Sequence, residues 1–337
     1  MGTAAVLSAT LVLAGCGSGS TSEAGSDGTK TITIGVPAVA EFVLGALLAP
    51  DLQEFKSRGI NVKIENVASP DALVLLATGK LDAFMGPISA GTFNAVAGGS
   101  DIKIVAPGGT NNDSTWWISK KALGSEKYSM QAWKGKKIYT STGAGSYVMI
   151  SLAHLLEPVG LKVTDLQFAQ IPPDDVVPAL QSGAIFAGIP PSQSAEDALR
   201  KSGTAFSGPS AVWPENVSPA FLQFGKRLLE DDPELGQQVV DAYYDVYEHR
   251  FQGDYANDKT LQPMIAKALQ VPQAQVPTLL RMTYPTNFDL PQGFATNAEK
   301  VWRSIPDVLS YDGSVADKVV DESMMAKARE QGSSSGS

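Results

Sequence analysis

Cysteine is almost missing from the 337 residues: Cys16 is the only one. A single thiol excludes an intramolecular disulfide framework and any zinc or iron–sulfur site built on several cysteines. Histidine is nearly as scarce, with His154 and His249 alone, so a multi-histidine metal centre is excluded as well. One falls inside an expected helix and the other beside Arg250 near a helix end, with no serine placed as a nucleophilic partner, which marks both as structural. Basic side chains are outnumbered, 26 against 35 acidic, for a net charge of -9. Without a lysine/arginine cluster, a nucleic-acid partner is excluded. The uncharged stretch 4–15 would rise about 18 Å as a helix, well short of a bilayer core of roughly 30 Å. What remains is a chain with 43% hydrophobic residues, 32 Gly and 21 Pro. That is enough to bury a core, at a length that suggests two compact units.

Leu13-Ala14-Gly15, directly before Cys16, resembles the lipobox of bacterial lipoproteins. The resemblance implies a signal peptide over 1–15, cleavage before Cys16, and acylation of that cysteine at its thiol and amine. The first three residues carry no lysine or arginine, where such signals have positive charge, and this implies a start upstream or a start assigned late. Met1-Gly2 does not open a myristoylation signal, because position 6 is Val6 rather than a small hydroxyl residue. Residues 16–30 are rich in Gly, Ser, Thr and Ala and read as a flexible tether. The expectation is an exported protein, lipid-anchored on the outer face of the cytoplasmic membrane.

From Lys30 the composition turns globular. The pattern predicts strands over 31–36, 61–67, 83–85 and 102–106, with helices over 43–58, 72–78 and 89–96 between them, Ser69 acting as an N-cap. A second stretch repeats the style, with strands over 115–119, within 133–140, and over 166–170 and 184–188, and helices over 146–157, 174–181 and 193–201. Phe206 and Val212-Trp213 mark a return strand region. Past Pro219 the pattern predicts helices over 222–229, 233–250, 260–269, 273–282, 294–305 and 315–330, then a polar disordered tail over 331–337. Strands alternating with helices argue for α/β units on mainly parallel sheets.

A lipobox followed by TITIGVP, SPDALVLLATGKLDAF, DIKIVA and WKGKKI…TGAGS resembles the substrate-binding proteins of ABC importers, in the group for sulfonates, taurine, nitrate and thiamine-precursor pyrimidines. The resemblance implies an α/β two-lobe clamshell of the type II periplasmic-binding-protein kind, with a mostly helical C-terminal part. Lobe one would be 31–113 plus 218–330, lobe two 114–217, with two crossings and the ligand in the cleft. It also implies a small-molecule ligand, anionic or zwitterionic, the transmembrane subunits of a permease as partners, a monomeric state, and no cofactor or metal.

Open parallel sheets bind ligands beyond the carboxyl ends of their strands, where helix N-termini present free N–H groups. Four loops qualify. Ser141, Thr142, Gly143, Gly145 and Ser146 form the strongest candidate, and the family's anionic head group sits on this type of loop. Ala40, Glu41 and Phe42 start the first long helix; Gly86, Pro87 and Ser89 follow the third strand; Thr110, Asn111 and Asn112 lie at the first crossing. Trp116 and Trp117 share a strand, so their rings face opposite sides; Trp116 is the candidate for the cleft, with Trp213 at the return crossing. Pro190 and Ser192 follow the strand 184–188, where the family often has an Asp-Ala pair and this chain has Phe186-Ala187. None of the four loops holds Arg or Lys, so an anion must be held by neutral dipoles; Glu41 and Asp113 favour instead an amine-bearing or donor-rich ligand.

The same clamshell hosts enzymes. Pyrimidine synthases of the fold rely on a Cys-rich motif and aromatic sulfinate desulfinases on a cleft cysteine, and Cys16 lies outside the globular body. The expectation is a receptor without catalysis for a sulfonate, taurine or nitrate-like anion. The alternatives are a thiamine-precursor pyrimidine, an aromatic carboxylate, or an enzyme of the menaquinone-pathway type.

Overall fold

The computed structural model describes residues 28–111, 114–213, 218–279, 282–285 and 287–335. Cys16, the lipobox and Asn112 lie outside the described residues.

The chain opens with β1 (Lys30–Val36), whose β-branched residues alternate so that Ile32, Ile34 and Val36 are buried. The helix expected over 43–58 is broken. A 3-10 turn at Glu41–Val43 leads into α1 (Leu44–Leu48), and α2 (Gln53–Lys56) follows only after Pro50. A proline there offers no N–H to continue the ladder, although Ala49 before it keeps helical dihedrals. β2 (Ile60–Asn66) pairs with β1 in parallel from Lys30↔Ile60 to Val36↔Asn66. Then come α3 (Ser69–Ala77), β3 (Ala83–Gly86), α4 (Ala90–Ala97) and β4 (Lys103–Pro107).

After the first crossing the second sheet begins with β5 (Thr115–Ser119) and a short α5 (Lys120–Leu123). The strand expected within 133–140 is β6 (Lys137–Thr140), and Trp133, which ends a 3-10 turn before it, is that turn's buried residue. α6 (Val148–Leu156), β7 (Gln167–Gln170), α7 (Val176–Ser182), β8 (Ala187–Gly188), α8 (Gln193–Ser202) and β9 (Ala205–Ser210) complete it.

The segment expected as a helix over 222–229 begins as a strand, β10 (Phe221–Phe224). All four of its residues are buried, and it lies antiparallel between β3 and β4. A short apolar run covered on both faces has no distinguishing period, which is why the helical spacing misled. Its one polar member, Gln223, is satisfied inside: its Nε2 donates to the Gly86 carbonyl at 3.3 Å, and its Oε1 accepts from the Thr92 hydroxyl at 3.4 Å.

The sheet orders are β2-β1-β3-β10-β4 and β7-β6-β8-β5-β9. Each holds a parallel trio and one strand antiparallel to both its neighbours, β10 in one and β5 in the other. Both odd strands are the first to follow a crossing, so each crossing ties one sheet into the middle of the other.

Beyond β10 the chain is helical: α9 (Pro233–His249), α10 (Leu261–Leu269), α11 (Phe294–Arg303), α12 (Ala316–Val319) and α13 (Ser323–Ser335). Asp232 caps α9 by accepting from the Leu235 N–H at 3.2 Å. The helix expected over 273–282 is a 3-10 stretch with Pro277 inside it. That over 315–330 is divided where Val320 forms a bridge with Ile104, and its second part runs to Ser335, into the segment expected to be disordered. α11 packs on both α4 and α6, joining the two halves in one continuous core.

Candidate ligand-binding site

The loops after β1, β3, β6 and β8 leave the carboxyl ends of their sheets and meet at a cavity of about 140 Å³ between the two sheets. Prolines build much of its wall: Pro37 after β1, Pro87 after β3, Pro190 and Pro191 after β8, and Pro219 before β10. Proline lacks the N–H a strand needs and is fixed in φ, so it both ends the strands and stiffens their exits. Phe42, Tyr139, Tyr147 and Trp213 add aromatic surface, and Tyr147 and Trp213 are stacked with centroids 5.2 Å apart and planes 13° apart. The polar side chains are those of Ser69, Asn111, Ser114, Ser141 and Ser146. Among the described residues, no charged side chain lines this cavity.

Of the residues singled out from sequence, the cavity brings together Phe42, Pro87, Asn111, Ser141, Ser146, Pro190 and Trp213. Ser89, Thr142 and Gly145 line instead a neighbouring groove of about 520 Å³ between α3, α4 and the loop after β6. Ser89 and Ser146 form an antiparallel bridge between the two halves, and Ser89 caps α4, its N–H meeting the Thr92 hydroxyl at 3.4 Å. Gly143 has a φ of +64° and opens the 3-10 turn that carries the loop into α6, a conformation that favours glycine. Gly145 lies so near Ala90 that an added Cβ would be 3.1 Å from that methyl group.

Other candidates sit elsewhere. Trp116, expected at the cleft, is fully buried in the core edge-on to Trp133, while Trp117 packs in a separate cluster with Val176 and Leu180. Ala40 is buried, and Gly86 offers its carbonyl to Gln223. Thr110 bonds to Thr283, its N–H donating to the Thr283 carbonyl at 2.7 Å, beside a third cavity. Ser192 caps α8 by accepting from the Ala195 N–H at 3.2 Å.

Glu41 has the most distinct placement. It is 3% exposed, and its Oε1 accepts from the Gln193 N–H at 3.2 Å. Gln193 is the first residue of α8 on the second sheet, so a carboxylate from one half caps a helix in the other. Glu41 lines a small side cavity with Leu44, Tyr255 and Leu269. The helix N-termini near the cleft are therefore partly occupied already: α8 by Glu41 and Ser192, and α6 by N–H groups of Met149 and Ile150 bonded to the carbonyls of Ser146 and Tyr147.

Sequence reasoning missed Ser69, Ser114, Tyr139, Tyr147, Val148 and Met282. Ser69 was expected to cap α3, but the cap is Ala68 and Ser69 lies one residue inside, its buried hydroxyl without a hydrogen-bond partner. The Tyr147 hydroxyl is likewise buried and unpartnered, and burial holds that phenol well above the ordinary tyrosine range, so it remains an O–H donor. Tyr147 was legible as the residue after the Gly/Ser loop, whereas Tyr139 and Met282 carry no local signal.

No known protein-family profile matches the chain, and no curated protein is similar at a significant level. Solved structures are similar in fold. The alkanesulfonate-binding protein SsuA from Xanthomonas axonopodis pv. citri, solved with MOPS bound, is 19% identical at a TM-score of 0.63, over 87% of this chain and 98% of its own. The periplasmic nitrate-binding protein NrtA from Synechocystis PCC 6803 is 13% identical at a TM-score of 0.71, over 90% and 89%. The desulfurization enzyme DSZB is 13% identical at 0.59, over 89% and 99%. The chain has the α/β fold of type II periplasmic binding proteins, two mixed sheets surrounded by helices. That fold serves both binding proteins and an enzyme.

Proposed function

We propose that the chain is the solute-binding component of an ABC importer, which captures one small solute between its two lobes and presents it to a permease. The observation that carries the reading is a cavity walled by loops from both sheets, beside contacts that join the two halves: Ser89 with Ser146, and Glu41 with Gln193. A site assembled from two halves couples ligand binding to their approach, and closure changes the surface offered to a partner. The lobes of this reading are 31–113 with 218–330, and 114–217. The chain would act outside the cytoplasmic membrane, held by lipid on Cys16, as a monomer.

The described lining residues support binding over catalysis. They are prolyl, aliphatic, thioether, aromatic, hydroxyl and amide groups, with no acid–base pair and no thiol among them. A sulfonate, taurine or nitrate-like anion would rest on the hydroxyls of Ser69, Ser141 and Ser146. The aromatic walls favour the second reading, a ligand built on a ring.

The test is a panel of such compounds followed by thermal unfolding and by product analysis. A ligand at 100 times its dissociation constant should stabilise the protein by about 2.7 kcal/mol, be recovered unchanged, and reduce the radius of gyration in solution scattering. Chemical conversion of a bound compound would overturn the receptor reading.

A further inference from the structure

We propose that the two halves pivot on α11, so that the molecule opens where Glu41 meets Gln193 and stays joined at Ser146. This motion goes beyond the receptor reading and holds with any solute or with none.

α11 is rooted in the first half. Its first residue, Phe294, stacks on Phe221 of β10 with centroids 4.9 Å apart and planes 14° apart, and the helix packs on α4. Near its other end Trp302 reaches the second half, where its Nε1 donates to the Ser146 carbonyl at 3.1 Å, just ahead of α6. Ser146 is also bridged to Ser89. The Trp302 ring is fully buried and lies edge-on to Phe93 of α4, with centroids 5.2 Å apart.

The crossings are tied to each other as firmly. The Gly108 N–H on the first donates to the Ala220 carbonyl past the second at 2.9 Å, and the Ser218 hydroxyl donates to the Gly109 carbonyl at 2.8 Å. A Cβ on Gly108 would stand 2.6 Å from the Ala220 oxygen, so the two chains are packed backbone to backbone. Residues beside these links line one part of the cavity: Asn111, Trp213 and Pro219 at the crossings, Ser146 and Val148 at α11. Phe42, Pro190 and Pro191, beside Glu41 and Gln193, line another.

The two edges differ in what parting them exposes. Lifting the second half off Trp302 would return to water part of an indole, a side chain that buries about 150–250 Å² and gains nothing from water in exchange. Parting Glu41 from Gln193 uncovers a carboxylate and an N–H, and water replaces the lost bond for both. The polar edge therefore yields first. With the axis near Ser146, that residue stays almost still and can meet a solute before closure, while Pro190 and Pro191 swing in and complete the site.

The test needs no solute, so its outcome is separate from whether the chain proves to be a receptor or an enzyme. Spin labels at Val39→Cys and Ala198→Cys report on the Glu41 edge, and labels at Glu157→Cys and Lys300→Cys on the α11 edge, each pair placed at exposed positions in the Cys16→Ala chain. Glu41→Ala should lengthen the first distance by about 4 Å, the travel of a point about 15 Å from an axis turned through about 15°, and leave the second within about 1 Å. A second distance that lengthens, or a first that does not, would overturn the pivot. A disulfide checks the axis itself: residues paired across an antiparallel bridge have Cα atoms about 4.5–5.5 Å apart, within reach of an S–S bond. Oxidised Ser89→Cys with Ser146→Cys should still show the larger radius of gyration that Glu41→Ala produces. An increase lost on oxidation and regained with reductant would place the parting edge at Ser146 and overturn the pivot.

Discussion

Removing the Glu41 carboxylate should open the molecule without touching the ligand. The carboxylate sits on the first lobe of the proposed division, is 3% exposed, and takes the Gln193 N–H at the start of α8 on the second. A hydrogen bond to a charged group contributes about 1.5–3 kcal/mol, and a carboxylate at a partly buried helix N-terminus up to about 2 kcal/mol. The two figures describe the same contact and do not add. The 3.2 Å separation places it toward the lower end, so about 1.5–2 kcal/mol is the working value. That figure is net of the carboxylate's desolvation, which the closed form bears and Glu41→Ala would remove. Glu41→Ala should therefore shift the open–closed balance by about ten- to thirtyfold, and the apparent dissociation constant should rise by as much as the closed fraction falls. Glu41→Gln keeps an acceptor for Gln193 and should lose only the charge–dipole part, a few-fold. The assay pairs solution scattering of unliganded protein with stopped-flow binding of whichever probe titrates best. Glu41→Ala should enlarge the radius of gyration and speed dissociation, with association little changed. Unchanged scattering together with affinity within about twofold of the parent would refute the view that this contact holds the halves together.

The same interface can be tested by bulk: Gly145→Val should wedge the halves apart, because a Cβ there already meets Ala90 at 3.1 Å, and the scattering should move as it does for Glu41→Ala. Ser141→Ala with Ser146→Ala should weaken binding by about ten- to a hundredfold if both hydroxyls hold the solute, and unaltered titration would remove that loop from the site. Burial raises the Glu299 carboxyl, but hydrogen bonds from Ser314, Tyr311 and the Val315 N–H outweigh it and hold the group below its ordinary value of 4.5. Its contribution to stability is thus complete above pH 4.5 and lost as the pH falls below it, so acid unfolding of Glu299→Gln should show a shallower decline over that range than the parent. Radiolabelled palmitate should be incorporated into the full chain expressed in bacteria and not into Cys16→Ala; equal labelling would place the acylation elsewhere.

Most of the α/β pattern was readable because its elements advertise themselves. β1 alternates, α3 carries a proline in its first turn, and α9 combines an acidic cap with a long buried stripe of Leu235, Val239, Tyr243 and Val246. Two of the failures share one cause: positions whose role is decided by what covers them. Phe221–Phe224 is a strand only because β3 and β4 enclose it, and Val320 interrupts a helix because Ile104 offers it a bridge. Pro50 and Pro277 were visible and should have stopped their helices, since neither position can donate an N–H.

The site was legible in its loops and illegible in its chemistry, and Ser69 and Glu41 explain why. Sequence rules assign a serine before Pro-Asp to a helix cap and a carboxylate near a helix start to solvent or to a ligand. Here Ala68 takes the capping position and the Ser69 hydroxyl is buried without a protein partner, while Glu41 accepts from the first N–H of a helix on the opposite half. Glu41 can do so only because the fold sets the turn after β1 beside the start of α8. A carboxylate occupied in this way leaves the cavity itself free of that charge. Of the two acidic residues that pointed to an amine-bearing solute, Glu41 therefore argues for closure instead, while Asp113 lies outside the described residues.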